Sequence, residues 1–238
     1  RDEQPPMSLH RLRALLGDDA LAPALREALG ASSAEGFGEL VGPGVLAFPV
    51  LSRRGCGRLL GEIDRRAAAS PAERPPNSMH RYGAVLGPLE LAEELHELRA
   101  ELVEPLARLH LAEHLDHGLD GEYGFLAEYG SEADEDLGFH VDDSAVTLNL
   151  CLSEDFSGSE LYFHGVRCDE HRQTRPSPDE SFEYVHEPGV AVLHAGRHRH
   201  GVHPILRGQR RNLILWCQSD RAREEARSCR PWCGVPRE

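Results

Sequence analysis

His140-Val141-Asp142, a later group of histidines at 194, 198, 200 and 203, and Arg210 are the residues whose types and spacing can do chemistry. In an extended segment residues i and i+2 point the same way, so His140 and Asp142 can grip one ion together. A second imidazole from another strand would complete two nitrogens and one oxygen on one face of a metal. That donor set suits Fe(II) and leaves the opposite face open. His194, His198, His200 and His203 all compete for the place. His200 is favoured by its downstream neighbours. His200 to Arg210 reads as a strand, a turn at Arg207-Gly208 and a returning strand, a hairpin that carries Arg210 back to the metal end. His198, on the same strand face, is the main rival. A guanidinium is a planar, permanently charged fork for a carboxylate, so Arg210 predicts a dicarboxylate co-substrate on the open face.

These residues need elements to position them. Ser8 can cap a helix carrying Leu9, Leu12, Leu15 and Leu16, and Asp18 or Asp19 can start another ending near Gly30. Val45 to Leu51 reads as a first strand. Ser52 then opens a helix with Cys56, Leu59, Leu60 and Ile63 on one face, and residues 67–76 read as a loop. From Pro88 the leucines at 91, 95, 98, 102, 106 and 109 repeat at spacings of three and four, a scaffold helix that Pro105 kinks or divides. Near Tyr123 the period changes. Val146, Leu148, Leu150 and Leu152 alternate with Thr147, Asn149 and Cys151 in a two-faced strand. Further strands are expected at 158–164, 184–186, 190–194 and 212–218. Helices first and short strands after them predict an all-β sandwich or jelly roll with N-terminal helices. The charged stretch Cys168 to Ser181, with Pro176 and Pro178, reads as an exposed loop and a candidate lid.

With 238 residues the chain can bury a substantial core. Its formal charge of −14 argues against a general nucleic-acid or anionic-membrane surface. No run approaches a membrane span, and the start Arg1-Asp2-Glu3-Gln4-Pro5-Pro6 lacks the apolar core of a signal peptide, so a cytoplasmic place is the expectation. The six cysteines are too scattered for a disulfide framework. Cys229 and Cys233 offer two of the four ligands a structural zinc needs, which favours a thiol pair or exposed tail there. The acidic run Glu132, Asp134, Glu135 and Asp136 lies just before the metal motif. It would favour a cationic substrate if it lined the entrance, and would otherwise serve solubility.

The run His140-Val141-Asp142-Asp143-Ser144-Ala145-Val146-Thr147-Leu148-Asn149-Leu150, followed by Gly158-Ser159-Glu160-Leu161-Tyr162-Phe163, resembles the prolyl 4-hydroxylase and procollagen lysyl hydroxylase class of 2-oxoglutarate oxygenases. Pro76-Asn77-Ser78-Met79-His80-Arg81 and the C-terminal cysteine pair extend the likeness over about 44–233. The resemblance implies a double-stranded β-helix, mainly β with flanking α. It divides the chain into a helical extension (1–43), an oxygenase domain (44–220, with helical support at 52–117 and a jelly-roll core at 123–218) and a tail (221–238). It implies iron on His140, Asp142 and His200, and the distal carboxylate of 2-oxoglutarate on Arg210. Tyr129 matches a tyrosine near that co-substrate, and Thr147 and Asn149 lie on the matching inner strand. The implied activity is hydroxylation of a C–H bond in a peptide, protein or small molecule, using O2 and converting 2-oxoglutarate to succinate, with ascorbate as a candidate reductant. Related halogenases lack the carboxylate, so Asp142 favours hydroxylation. Ser159 departs from the glycine common in relatives, and residues 131–136 from their Pro-Gly turn. For the cluster from Asn77 to Tyr82 a substrate-side and a structural role are both open. Competing readings are a nucleic-acid dealkylase on the same fold, disfavoured by the acidic balance, and a non-catalytic metal- or 2-oxoglutarate-binding sensor.

Overall fold

A computed structural model describes residues 8–31, 33–69, 75–115 and 118–235. Two antiparallel sheets face each other. The larger runs β1 (Glu39–Gly42), β2 (Val45–Pro49), then β10 (Val190–Ala195), β6 (Val146–Cys151), β12 (Ile205–Gln218), β4 (Gly121–Gly130) and β3 (Gly83–Val85), with β7 (Phe156–Gly158) paired to the free end of β12. The smaller runs β5 (Leu137–His140), β11 (His198–Val202), β8 (Leu161–Val166) and β9 (Ser181–Tyr184). This is the expected double-stranded β-helix with helices before it.

Side-chain alternation decides what each face of the large sheet does. Leu148, Leu150, Leu193, Leu213 and Leu215 turn outward into a core shared with the helices. Phe125, Tyr129, Val192, Ile214 and Trp216 turn inward and meet Leu161, Phe163 and Val202 of the small sheet. The helices α1 (His10–Leu16), α2 (Pro23–Ala31), α3 (Arg53–Ala69) and α4 (Ala92–Leu98) press their leucines on the outer face, so the first helices share the core of the sheet they cover. None of the helices among the described residues is long and apolar enough to cross a membrane.

Several local expectations change. Ser52 does cap α3, its Oγ accepting from the Gly55 N–H at 3.1 Å. Ser8 does not cap α1: its hydroxyl is donated to Glu101. The free N–H groups of that helix start are met from across the chain instead. Leu9 N–H reaches Glu101 at 2.9 Å, and Arg11 and Leu12 N–H reach the Glu97 carboxylate at 2.8 and 2.9 Å. Acids at a helix N-terminus satisfy orphan donors and meet the positive end of its dipole. Glu97→Ala should therefore lower stability by about 1–3 kcal/mol, read as a lower urea midpoint at unchanged slope.

Helix α3 continues through Ala69, into the stretch expected as a loop; residues 70–74 lie outside the described residues. The leucine-rich scaffold is divided, with a π-turn at Arg99–Val103 before α5 (Glu104–His110), whose first turn holds Pro105, where a missing N–H costs little. The strand expected at 184–186 lies at 181–184, and 158–164 is two strands interrupted at Ser159-Glu160.

The largest correction concerns the hairpin. No turn forms at Arg207-Gly208; the break is at His203-Pro204, and β11 and β12 belong to different sheets. Gly208, with φ 78°, marks a distortion inside a 14-residue strand, where a Cβ would strike the Asp155 carbonyl. Arg210 thus comes from the sheet opposite His200.

Candidate metal and co-substrate site

His140 ends β5 and His200 lies in β11, and the two are direct cross-strand partners. Asp142 follows in the crossing to β6, its N–H bonded to Gly196 O at 2.9 Å. His140, Asp142 and His200 each place a ligand atom within 4.8 Å of the other two. The Asp142 carboxylate stands 3.4 Å from His140 Nε2 and 3.7 Å from His200 Nε2. His140 Nδ1 meets Gly138 O at 2.7 Å and His200 Nδ1 meets His198 O at 2.8 Å. Carbonyls only accept, so each ring carries a proton on Nδ1, and a neutral imidazole then turns its Nε2 lone pair toward the carboxylate. Burial pushes His200 down to about 3, with neighbouring His140 adding to the shift, which keeps that ring neutral. Three acceptors crowd one point with no donor between them, an arrangement that a cation completes. Thr147 donates to Asp142 Oδ2 at 2.6 Å and Ser144 lies 2.8 Å from Thr147 Oγ1, which fixes the carboxylate.

The other histidines separate cleanly. His198, the expected rival, is fully buried among Phe163, Phe182 and His194, and neither ring nitrogen has a hydrogen-bond partner. It does not join the cluster. His203 pairs with Glu183 at 2.9 Å near the surface. His194 is the nearest neighbour, 4.0 Å from Asp142, with Nδ1 against Ala195 O at 2.9 Å.

A narrow cavity between the sheets holds the cluster together with Tyr129, Thr147 and Asn149, walled by Leu161, Val202, Ile214 and Trp216. Arg210 pairs with Tyr129 in register, its guanidinium 5.9 Å from that ring. It is fully buried; its hydrogen bonds run to the Ser159 carbonyl and hydroxyl, Asn212 Oδ1 at 3.1 Å and His186 Nδ1 at 2.8 Å, and the Phe156 ring lies 5.6 Å away. No ion pair of Arg210 occurs among the described residues. A buried guanidinium held only by neutral groups calls for an anion. Ser159 adopts φ 62°, the left-handed region glycine favours, and its side chain touches Arg210. Asn149 accepts from Asn212 Nδ2 at 2.6 Å and so braces the same corner.

Sequence reasoning missed His80 as a wall of this cavity. Asn77 Oδ1 accepts the Met79 and His80 N–H groups, both at 2.9 Å, and this turn sends His80 inward to within 3.2 Å of the Tyr129 hydroxyl. Burial, with His140 nearby, lowers His80 to about 4. The motif is therefore both a turn and a cavity wall. Its partner is Asp134, buried and bonded to Arg81 N and Nε at 2.9 and 3.0 Å. That removes Asp134 from both roles weighed for the acidic run, an entrance lining and a solvated loop. The candidate lid at 168–181 is pinned as well: Arg167 grips Glu180 through two bonds of 2.8 and 2.7 Å and Thr174 at 3.0 Å.

Comparison with known proteins gives this geometry relatives. A family model described as OGFOD2-like domain matches residues 7–115. The chain is 40% identical over 237 residues to 2-oxoglutarate and iron-dependent oxygenase domain-containing protein CP2 of Arabidopsis thaliana, covering 95% of this chain and 60% of that protein. It is 33% identical over 193 residues to 2-oxoglutarate and iron-dependent oxygenase domain-containing protein 2 of Homo sapiens, covering 81% and 53%. The chain thus spans little more than half the length of these relatives. Among solved structures, the non-heme alpha ketoglutarate dependent carbocyclase SnoK from nogalamycin biosynthesis superposes with a TM-score of 0.52 at 16% identity, over 82% of this chain and 90% of that one, a likeness of fold. The chain is thus similar over most of its length to 2-oxoglutarate and iron-dependent oxygenase domain-containing proteins, and its residues 7–115 match the OGFOD2-like domain model.

Proposed function

We propose that this chain is an Fe(II)- and 2-oxoglutarate-dependent dioxygenase that hydroxylates a C–H bond of a peptide, protein side chain or small molecule. One observation carries the reading: the His140–Asp142–His200 cluster lines a cavity with Tyr129, and against that tyrosine's ring lies a fully buried arginine that has no acid partner among the described residues. A dication suits the first group and a dicarboxylate the second. The names of the relatives support the same pair of cofactors.

Each side chain then has a task. His140 and His200 present Nε2 because backbone carbonyls hold Nδ1. Asp142 supplies the anionic ligand, aimed by Thr147. Arg210 anchors the distal carboxylate of 2-oxoglutarate, with Tyr129 beside it and Ser159, Asn212 and His186 holding the guanidinium in place. Leu161, Val202, Ile214 and Trp216 keep bulk water from the centre. Iron, when bound, supplies the redox chemistry that couples loss of CO2 from 2-oxoglutarate to C–H oxidation by O2. The protein's part is to position and to exclude.

The test is spectroscopic. Anaerobic protein with Fe(II) and 2-oxoglutarate should show the weak visible charge-transfer band of the chelate. Arg210→Ala should bind 2-oxoglutarate roughly 10- to 100-fold more weakly, the loss of about 1.5–3 kcal/mol from a charge-assisted contact. Metal bound without a band in the wild type would remove the oxygenase reading.

A further inference from the structure

A second cluster lies where the tail meets the segment after β8. Cys168, His171, Cys229 and Cys233 each offer a ligand atom within 4.8 Å of the others. Their spacing is Cys-X2-His followed by Cys-X3-Cys. Cys168 Sγ stands 3.7 Å from Cys233 Sγ, and His171 Nδ1 lies 3.1 Å from the first sulfur and 3.6 Å from the second. Two thiolates held ~2.3 Å from a tetrahedral ion stand about 3.8 Å apart. We propose that these four residues bind a structural Zn2+ that clasps the C-terminal tail to the jelly roll.

Beyond Trp232, whose ring lies 5.3 Å from that of His114, the tail has little apolar packing to hold it. From 226 to 235 only Ala226 and Cys233 are buried, too little apolar surface to order a segment of that length. Its backbone nevertheless docks, with Asp169 N–H on Ala226 O at 2.9 Å and Gly234 N–H on Val166 O at 3.2 Å. The approach is close: a Cβ on Gly234 would collide with Glu180 Oε1 and lie 2.6 Å from Arg167 Nη1. Three thiolates and one imidazole close the coordination shell, which marks a structural rather than a catalytic zinc; the thiol protons leave as the ion binds. A Cys168–Cys233 disulfide would instead leave His171 and Cys229 idle.

The clasp also bears on the first site. Asp169, between two ligands, pairs with Arg197 at 2.6 Å, and Asp169 and Trp232 line a cavity of about 210 Å³ that has Asp142 in its wall. Zinc would fix that wall.

Because zinc also suits the His140 cluster, the test uses His140→Ala/Asp142→Ala protein, purified under reducing conditions, with metal content measured by mass spectrometry. The expected result is one zinc per chain, lost when Cys229→Ser/Cys233→Ser is added and kept with His171→Cys. Cobalt(II) added to the zinc-stripped chain should give the intense visible bands of tetrahedral thiolate ligation. Zinc retained without the two cysteines, no cobalt–thiolate bands in the folded chain, or an intact mass about 2 Da lighter from a Cys168–Cys233 disulfide would each overturn the proposal.

Discussion

Replacing Asp142 with asparagine will abolish succinate formation and at the same time raise the melting temperature of the metal-free chain. Asp142 is buried, and the only titratable groups within ion-pair range of it among the described residues are histidines. Two of those rings turn lone pairs toward it. Without a cation, Thr147 is the one side chain among the described residues that donates to this buried charge, and the facing rings offer acceptors, an arrangement that costs stability. Asparagine keeps the shape, removes the charge and can donate an N–H to a facing nitrogen. Relief of about 1–2 kcal/mol is expected, and each kcal/mol moves the midpoint of a chain this size by roughly 2–4 °C. Iron affinity should fall by about 100-fold or more, since even residues that merely orient ligands are worth 10- to 100-fold. Calorimetry of the stripped proteins and iron titration read the two effects separately. A variant that is both inactive and less stable would make Asp142 a structural residue; one that keeps turnover would remove it from the ligand set.

Much of this site was legible because its signals are local. His-X-Asp in an extended segment and the alternation of 146–152 follow from strand geometry, and Arg210 stood out by its chemistry. The route between His200 and Arg210 was not legible. Gly208 and Pro204 are both turn signals, and only the pairing of β11 with β5 and β12 with β4 shows that the chain changes sheet at Pro204 while Gly208 bends a continuous strand. The second metal cluster was hidden for a related reason. Cys-X2-His and Cys-X3-Cys are each half a site, and packing of the tail against β8 makes them one. Glu97 and Glu101 look like ordinary helix-surface acids until α1 docks its N-terminus on them. His80 became a cavity wall through a turn closed by Asn77. Contacts of that kind are set by tertiary packing, which periodicity does not report.

Phe163 will prove the most costly apolar residue of the site to truncate. It is fully buried between the sheets, opposite His200 on one side and Phe182 on the other. Its ring stacks on Phe182 at 5.0 Å and on His200 at 5.8 Å, and meets His194 and His198 edge-on at 5.5 and 5.0 Å. His198, buried without polar partners and pushed well below the usual histidine range by that burial, acts here as one more neutral aromatic. Phe163→Ala should cost about 3–5 kcal/mol from lost burial and the cavity left behind, lowering the melting temperature by roughly 10 °C or more. Phe163→Leu, closer in volume, should cost about 1–1.5 kcal/mol. The two variants also separate packing from positioning. The Phe163 ring is one of the walls that set the plane of His200, beside the His140 and His194 rings at 4.2 and 4.6 Å and the bond from Nδ1 to the His198 carbonyl. Alanine removes that wall and loosens the imidazole, so iron affinity should fall about 10-fold as ligand orientation is lost, whereas leucine should hold it within about twofold. If Phe163→Ala loses stability yet binds iron like the wild type, the ring serves the core alone, and the His200 plane is set by its strand pairing with His140.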